Sequence, residues 1–246
     1  MQALAGEGDA LTIDDATFAG LNAALLARRY GHAVSWFVNG LNVERGLPYF
    51  PFQLSCMLDD SPREECSFAG KTWGLTTMVE RRALRFQLKQ TYMSISSHQE
   101  IDHLLQTFSR CVGVDPDHLD SALGTVTTAE LAMAAAAGVE LRNHGWDHLN
   151  PHVKPEVERL SEVQRNEEYL SFFRRAVTCI FAPPFGKFAG TASGAVNYML
   201  LADRKASNLK QGNVINRREL RTDDPPQARA MRTRSFAPAA GMRESV

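Results

Sequence analysis

Two adjacent aspartates and a pair of histidines are the residues of this chain whose types and spacing could do chemistry. Asp14 and Asp15 end a short apolar run, and His144 and His148 follow about 130 residues later. Two carboxylates side by side at the end of a buried strand are unfavourable, because each loses hydration and they repel one another. A cation beside them removes that objection. Together the two segments predict a metal-dependent hydrolase.

The spacing of the histidine pair suits one metal ion. Residues four apart in a helix or a tight turn lie on one side, so both imidazoles can reach a single ion. A pair of exposed loop histidines is the alternative interpretation. With Asp15 the ligand set is two nitrogens and one carboxylate, which leaves positions for water and substrate. This set suits Zn²⁺, ahead of Co²⁺, Mn²⁺ or Ni²⁺.

Asp14 then has a role distinct from that of Asp15. One carboxylate binds the ion, while its neighbour accepts a proton from metal-bound water, whose pKa the metal lowers to about 7. The alternative is structural. An aspartate placed before Ala16, Thr17 and Phe18 can also cap the N-terminus of a helix.

Alternating strand and helix patterns predict an α/β fold with a parallel sheet. Strands are expected at residues 10–13, 33–38, 139–141, 177–181 and 213–220, and helices at 18–29, 127–137, 155–175 and 189–202. In such folds chemistry lies at the C-terminal ends of the strands. Three of the expected ends carry distinctive residues: the aspartate pair, the histidine segment, and the Pro-Pro-Phe-Gly sequence at 183–186.

Residues from about 43 to 121 interrupt this alternation. Prolines mark a loop at its start, and helical patterns follow near residues 72–92 and 99–112, without an evident strand. We therefore expect a helical insertion within a single domain over residues 1–222. Residues 223–246 are rich in Arg, Pro and Ala, which predicts a loosely ordered tail.

Composition excludes several other classes of protein. The 246 residues carry a formal charge of −1, which gives no reason to expect nucleic acid or an anionic membrane as partner. No apolar run approaches the ~18–20 residues that span a bilayer. The N-terminal residues do not resemble a signal peptide, and the four cysteines are expected to be reduced thiols, so we expect a cytoplasmic protein. Cys179 is most simply a core residue, and the oligomeric state stays open.

These residues resemble a known family, the polysaccharide deacetylases, also called the NodB-homology domain or carbohydrate esterase family 4. Residues 12–16, Thr-Ile-Asp-Asp-Ala, match its first motif, Thr-Phe-Asp-Asp-Gly. Residues 144–148 match His-Ser/Thr-x-x-His, and residues 182–186 look like a variant of Arg-Pro-Pro-Tyr-Gly. Residues 34–39 and 138–144 resemble the segments that lead into the family's site. The resemblance covers about residues 9–220.

The resemblance implies a distorted (β/α)7 TIM-like barrel with Asp14 as catalytic base and Asp15, His144 and His148 as metal ligands. It also implies that the third motif contacts the substrate, and that the main-chain N–H of its aromatic residue helps to hold the oxyanion. Here those residues are Pro184, Phe185 and Gly186.

Two departures from the family pattern leave roles open. Ala182 stands where many members have an arginine that pairs with the catalytic aspartate, so Asp14 must be oriented by another group, with Arg217 or Arg218 as candidates. Many members also have a catalytic-acid histidine near the C-terminus, whereas no histidine follows His152 here. His152 could replace it, although a simple loop residue is the other interpretation.

The leading hypothesis is a metal-dependent amidohydrolase that removes an N-acyl group by attack of metal-bound water. The family implies an N-acetylated amino sugar, and we also consider a small N-acyl metabolite. Hydrolysis of a formamide or a cyclic imide on the same metal centre is one alternative. A catalytically inactive carbohydrate-binding barrel is another.

Overall fold

The fold is described from a computed structural model of the chain, which covers residues 11–116, 119, 124–174, 179–186, 198–201 and 214–216. Its strands are β1 (Leu11–Asp14), β2 (Val34–Val38), β3 (Glu65–Phe68), β4 (Lys71–Gly74), β5 (Glu140–Asn143), β6 (Ile180–Phe181), β7 (Tyr198–Leu201) and β8 (Val214–Asn216). Six of them form one sheet in the order β1-β2-β5-β6-β7-β8, and every pairing in it is parallel. The predicted α/β class with a parallel sheet is therefore confirmed. Closure into a seven-stranded barrel stays a prediction.

The α-helices are α1 (Phe18–Arg29), α2 (Gly40–Arg45), α3 (Phe50–Asp59), α4 (Met78–Tyr92), α5 (His98–Val112), α6 (Thr128–Ala136) and α7 (Glu156–Ser171). Three of them begin with a capping box, in which a Thr or Ser side chain and a Glu three residues later satisfy each other's backbone N–H groups. These boxes pair Thr77 with Glu80, Ser97 with Glu100, and Thr127 with Glu130. The N-cap of α6 is Thr127, the first of the two threonines, Thr127 and Thr128, that could cap this helix.

The sheet core is built from strand β2 and the helices that cover it. All five residues of β2 are buried, and Trp36, Phe37 and Val38 are completely enclosed. A strand buried on both faces is typical of a parallel sheet between helices, because neither face meets water. Leu131 of α6 and Leu170 of α7 belong to the same cluster.

The insertion has a hydrophobic core of its own. Leu54 and Met57 of α3 pack with Leu84 of α4 and Phe108 of α5, all completely or almost completely buried. Leu149, from the segment that follows His148, joins this cluster. The insertion is therefore packed directly against the histidine segment.

The prediction that the insertion lacks strands is wrong. Strands β3 and β4 form an antiparallel hairpin, so residues 72–74, expected at the start of a helix, are extended and α4 begins at Met78. Ala69 and Gly70 make its turn with φ of 52° and 74°. This geometry is that of a two-residue hairpin turn, which usually has Asn or Asp before the glycine. Here the turn has Ala before Gly and each strand has only four residues, so the sequence pattern does not predict a hairpin.

Other boundaries differ by a few residues. Helix α1 and strand β2 match their expected positions closely, whereas α7 ends at Ser171, four residues earlier than expected. Residues 198–201, expected to be helical, form β7 instead. Residues 189–197 and the tail at 223–246 lie outside the described residues.

All four cysteines are thiols rather than disulfides. Cys179 is buried and packs with Val163 and Phe181, as its apolar sequence context predicts. In the part of the chain that the structure describes, no helix is both long enough and apolar enough to cross a membrane.

Candidate metal centre

The three segments predicted to carry chemistry meet at one edge of the sheet. Asp14 is the last residue of β1, His144 directly follows β5, and Pro183 lies two residues beyond the end of β6. Because β1, β5 and β6 are parallel members of one sheet, their C-terminal ends share an edge. The sheet topology thus brings together residues far apart in sequence.

Asp15, His144 and His148 form a compact group at this edge. Oδ1 of Asp15 lies 3.0 Å from Nε2 of His148 and 3.5 Å from Nε2 of His144. One ligand atom from each residue lies within 4.8 Å of the others. Both imidazoles are only 3% exposed, so the interpretation of the histidines as exposed loop residues is wrong.

The backbone reaches this arrangement through strained turns rather than through a helix. Asp15, His148 and Phe185 have φ of 66°, 55° and 60°, and they are three of the four non-glycine residues with positive φ in the described chain. Such conformations cost energy and persist at sites where the surroundings enforce them. Gly145, with φ of 80°, makes the remaining sharp turn between the two histidines.

His144 is oriented by a main-chain carbonyl. Its Nδ1 lies 2.6 Å from the oxygen of Ala182, and since a carbonyl only accepts hydrogen bonds, Nδ1 carries the proton. In the neutral ring the lone pair is then on Nε2, the atom that faces Asp15. A backbone group therefore sets the tautomer that a metal ligand needs. Ala182 therefore contributes to the site through its main-chain carbonyl.

A network of buried side-chain amides holds the segment that begins at His144. The side chain of Asn166, on α7, accepts a hydrogen bond from the main-chain N–H of Gly40. It donates to the main-chain oxygen of Val38 and to the side-chain Oδ1 of Asn143. Asn39 donates to the main-chain oxygen of His144 at 2.7 Å. These bonds tie the ends of β2 and β5 to α7. Sequence reasoning did not identify this network.

Gly40 allows the network to form because it has no side chain. A Cβ there would lie 2.4 Å from the ring of Trp146 and 2.8 Å from Oδ1 of Asn166. Neither atom has room to withdraw, since Trp146 and Asn166 are both buried. The backbone of α2 can therefore approach α7 closely enough for Asn166 to bridge them.

Asp14 is not the cap of helix α1. The N-cap is Thr17, whose hydroxyl accepts a hydrogen bond from the N–H of Gly20 at 3.1 Å. The structural alternative for Asp14 is thus wrong. Its carboxylate is close enough to raise the pKa values of His144 and of Tyr49. Asp14 therefore belongs electrostatically to the site.

Aromatic rings surround His148. Phe185 contacts its imidazole with 5.0 Å between ring centroids, and Tyr49 contacts the same ring edge-on at 4.7 Å. The ring of Tyr92, at the end of α4, has its centroid 5.7 Å from that of Phe185. Burial, followed by the charge of Asp15, raises the pKa of Tyr49 well above its ordinary value, so its hydroxyl stays protonated. Neither tyrosine was predicted, because each reaches the site only through packing of the insertion.

The third motif follows β6 as a tight turn. Residues 183–186 form a tight β-turn in which Phe185 has a φ of 60°, closed by a hydrogen bond from the N–H of Gly186 to the oxygen of Pro183. Pro184 is buried and lies beside Gly145 of the histidine segment. The structure therefore places Pro184 and Phe185 against the histidine segment, with Gly186 next along the chain, while the roles of all three stay predictions.

The electrostatics of the group favour positive charge. Burial alone would raise the pKa of Asp15, but the neighbouring imidazoles of His148 and His144 hold it well below its usual range. Burial would lower the pKa of His144, whereas the carboxylates of Asp14 and Asp15 raise it above the ordinary value. A cation at this position is therefore stabilised by the protein.

One orphaned atom tests whether the group fits a metal ion. Among the described residues, no group donates a hydrogen bond with suitable geometry to Oδ1 of Asp15, the atom that faces both imidazoles. An imidazole lone pair and a carboxylate oxygen that face each other repel, unless a cation or a proton lies between them. Ligands of a tetrahedral zinc ion lie about 3.4 Å apart, close to the observed separations. The residues fit a divalent ion.

Of the residues suggested to orient Asp14 or to act as general acid, the structure describes only His152. Arg217 and Arg218 lie outside the described residues. His152 is exposed on a single 3₁₀ turn, Pro151–Val153, where its main-chain N–H donates to the side chain of Asn150.

Comparison with known proteins identifies a family for this chain. The sequence profile described as "Polysaccharide deacetylase" matches residues 9–201. No curated protein matches the chain significantly.

Solved structures extend the comparison to the fold. A deacetylase of Streptococcus pyogenes, PplD, solved in complex with acetate, is similar with a TM-score of 0.54 at 12% identity, over 94% of this chain and 74% of that one. A de-N-acetylase from Aggregatibacter actinomycetemcomitans has a TM-score of 0.44 at 11% identity, over 91% and 76% of the two chains. The first similarity indicates a shared fold.

Proposed function

This chain belongs to the polysaccharide deacetylase family and is a hydrolase of C–N amide bonds, and from that premise we propose that it is a metal-dependent de-N-acetylase of an amino sugar or a small N-acyl metabolite. The observation that carries the proposal is the position of Asp15 Oδ1 within 3.0 Å and 3.5 Å of two imidazole nitrogens. As part of the same proposal, the sheet closes into a distorted (β/α)7 barrel, with residues 1–222 as a single domain.

We assign Asp15, His144 and His148 as the ligands of a divalent ion, most suitably Zn²⁺. Two nitrogens and a carboxylate oxygen are the ligand types that catalytic zinc sites use, with a position left for water or substrate. When bound, such an ion supplies a Lewis acid that activates water and polarises the acyl carbonyl. The Ala182 carbonyl supports the assignment, because it leaves Nε2 of His144 available.

We assign Asp14 as the general base. Three observations support this role: Asp14 ends β1 beside Asp15, its carboxylate raises the pKa of His144, and it does not cap helix α1. In the reaction the oxygen of a water molecule bonds to the acyl carbon, and Asp14 takes the proton that water loses. The C–N bond then breaks, and the products are a carboxylate and an amine.

The leaving amine needs a proton. The sequence has no histidine after His152, and the raised pKa of Tyr49 keeps its hydroxyl from giving up its proton readily. We therefore propose that Asp14 returns to the amine the proton that it took from water. One carboxylate then serves both steps, as general acid–base catalysis permits when the group stays within reach.

The turn at Pro184–Gly186 has two proposed roles. The main-chain N–H of Phe185 meets the negative charge that develops on the acyl oxygen, a role that does not depend on the side chain. The side chain of Phe185 packs on His148 and so restricts the position of the imidazole. Pro184 and Gly186 fix the turn that presents this N–H.

The other functions considered are less favoured. Membership of a deacetylase family supports removal of an acetyl group over hydrolysis of a formamide or a cyclic imide. A carbohydrate-binding barrel without activity has no need of a half-buried aspartate whose carboxylate faces two buried imidazoles.

Release of acetate tests the proposal. Zinc-loaded protein is incubated with N-acetylglucosamine, its β-1,4-linked oligomers and a panel of small N-acyl amines, with and without a chelator. We expect metal-dependent acetate release from at least one acetylated amino compound. Release that a chelator does not alter, or release of formate alone, would contradict it.

A further inference from the structure

We propose that Lys154 is a positioning residue of the metal centre, and that it holds the imidazole of His148 in place through the carboxylate of Asp147. This inference rests on the proposed function, because it concerns one of the three proposed metal ligands. Lys154 is not itself a ligand, so its effect on the ion passes through its neighbours.

The backbone at His148 has a conformation that its surroundings have to enforce. Its φ is 55°, in the left-handed region, where a residue with a Cβ is strained. Relaxation to an extended backbone would swing the imidazole away from Asp15. A specific contact is therefore needed to favour the observed turn.

The carboxylate of Asp147 supplies that contact. Its Oδ1 accepts a hydrogen bond from the main-chain N–H of Leu149 at 3.0 Å, so the bond spans His148. An aspartate that bonds to the N–H two residues further on forms an Asx-turn, which holds the chain in a tight turn. The side chain of Leu149 is buried in the core of the insertion. His148 is thus held between two fixed neighbours.

Lys154 compensates the charge of this carboxylate. Its Nζ pairs with Oδ2 of Asp147 and lies 3.6 Å from Oε1 of Glu162. The side chains of Lys154 and Asp147 are only 9% and 13% exposed. A buried carboxylate that loses its counter-ion is strongly unfavourable, and here a second carboxylate would repel it as well. Without Lys154 the carboxylate of Asp147 should turn towards solvent and release the N–H of Leu149.

The position of Lys154 is fixed by the loop that carries it. The 3₁₀ turn Pro151–Val153 ends at Lys154, whose N–H donates to the oxygen of Pro151 at 3.3 Å. Asn150 caps the start of this turn and donates through its amide to the oxygen of Met93, at the C-terminus of α4. The ammonium group therefore approaches Asp147 from a segment that is tied to the insertion.

Zinc affinity measures the positioning without any turnover. Lys154→Met removes the ammonium group and keeps a side chain of similar length, and Lys89→Met makes the same change at an exposed position of α4. We expect Lys154→Met to weaken zinc binding at least about tenfold, the lower end of the usual effect of outer contacts on metal affinity. Lys89→Met should bind zinc as the wild type does. Competition with a chromogenic chelator measures all three affinities.

A second substitution should restore the affinity. When Asp147→Asn is combined with Lys154→Met, the amide needs no counter-ion, and its oxygen can still accept the hydrogen bond from Leu149. This double variant should therefore recover zinc affinity to within about threefold of the wild type, since a neutral acceptor also closes an Asx-turn. A salt bridge that only stabilises the fold would alter the urea midpoints of these variants and leave their zinc affinities equal.

Hydrogen exchange in the metal-free protein reports on the turn itself. The amide of Leu149 should exchange at least about tenfold faster in Lys154→Met than in the wild type, because its hydrogen bond opens more often. Asp147→Ala removes the acceptor and leaves no buried carboxylate without a counter-ion. It should show the same faster exchange and the same loss of zinc affinity, so it tests the link even if Lys154→Met does not fold.

The outcomes separate this inference from the proposed function. If the variants lose zinc affinity and protection of Leu149 as expected, but the wild type hydrolyses no N-acyl compound, the positioning role stands and the proposed function fails. If the wild type releases acetate, but Lys154→Met and Asp147→Ala match it in zinc affinity and in exchange of Leu149, the positioning role is wrong.

Discussion

The ring of Tyr49 lies edge-on against the imidazole of His148, with centroids 4.7 Å apart and an angle of 86° between the ring planes. Phe185 contacts the same imidazole at 5.0 Å. These contacts restrict rotation of the ring and so keep Nε2 directed at Asp15. Outer contacts of this kind typically change metal affinity 10–100-fold.

Tyr49→Ala should therefore weaken zinc binding by about tenfold, because the imidazole gains freedom to turn away. Tyr49→Phe keeps the ring contact and should bind zinc nearly as the wild type does. Competition with a chromogenic chelator measures both affinities. Equal affinity in Tyr49→Ala would mean that the aromatic contact does not position the ligand.

Asp14→Asn should abolish acetate release while leaving bound metal in place. The amide has nearly the same shape as the carboxylate but cannot accept the proton from water, so kcat should fall by at least about 100-fold. Metal analysis of the same preparation is the control. If the variant keeps its turnover, Asp14 is not the base; if it loses its metal, Asp14 is a ligand.

The amide of Asn166 should carry a large share of local stability. It makes three buried hydrogen bonds, to Gly40, Val38 and Asn143. Asn166→Ala leaves the buried N–H of Gly40 without an acceptor and removes one of the two donors to the oxygens of Val38 and Asn143, which keep the N–H groups of His144 and Gly145. It should lower the free energy of unfolding by about 2–4 kcal/mol. Gln164→Ala, on the exposed face of the same helix, should change it by less than about 0.5 kcal/mol. Urea denaturation measures the free energy of unfolding of both variants. Similar losses in the two would show that the network contributes little to stability.

Glu162 should make stability depend on pH. Burial and the charge of Asp147 raise its pKa from 4.5 to about 7, despite Lys154 at 3.6 Å. The folded chain thus holds a proton that the unfolded chain releases, so this contribution to stability is complete below about pH 4.5 and is lost as pH rises to about 7. The glutamine of Glu162→Gln stays neutral at every pH. The free energy of unfolding of this variant, relative to that of the wild type, should therefore rise by about 1–2 kcal/mol from about pH 5 to pH 8.

Urea denaturation at the two pH values measures that difference. Glu158→Gln, at an exposed position of the same helix, is the matched control and should follow the wild type at both. If the difference in free energy of unfolding between Glu162→Gln and the wild type does not change with pH, titration of Glu162 is not its cause.

Local pattern was enough to place the residues that meet at the sheet edge. Asp14, His144 and the turn at Phe185 each follow an apolar strand, and parallel strands bring such positions together whatever the intervening sequence. The capping boxes likewise appear as short patterns whose physical effect is local.

Residues that reach the site through tertiary packing were not predictable. Tyr49 precedes a helix of the insertion, and Asn166 lies inside α7 among charged residues, so neither has a local signal of its role. The hairpin of β3 and β4 escaped prediction because its strands are short and its turn has alanine where Asn or Asp is usual.

The metal content of the purified chain is the most direct test of the central claim that Asp15, His144 and His148 hold one divalent ion. Protein prepared without chelator is analysed by elemental mass spectrometry, next to the His148→Ala and His144→Ala variants. The account predicts about one zinc or related ion per wild-type chain and a marked loss in each variant, since a site left with two ligands binds weakly. A wild-type chain that takes up no metal even when zinc is supplied, or variants that retain as much as the wild type, would contradict it.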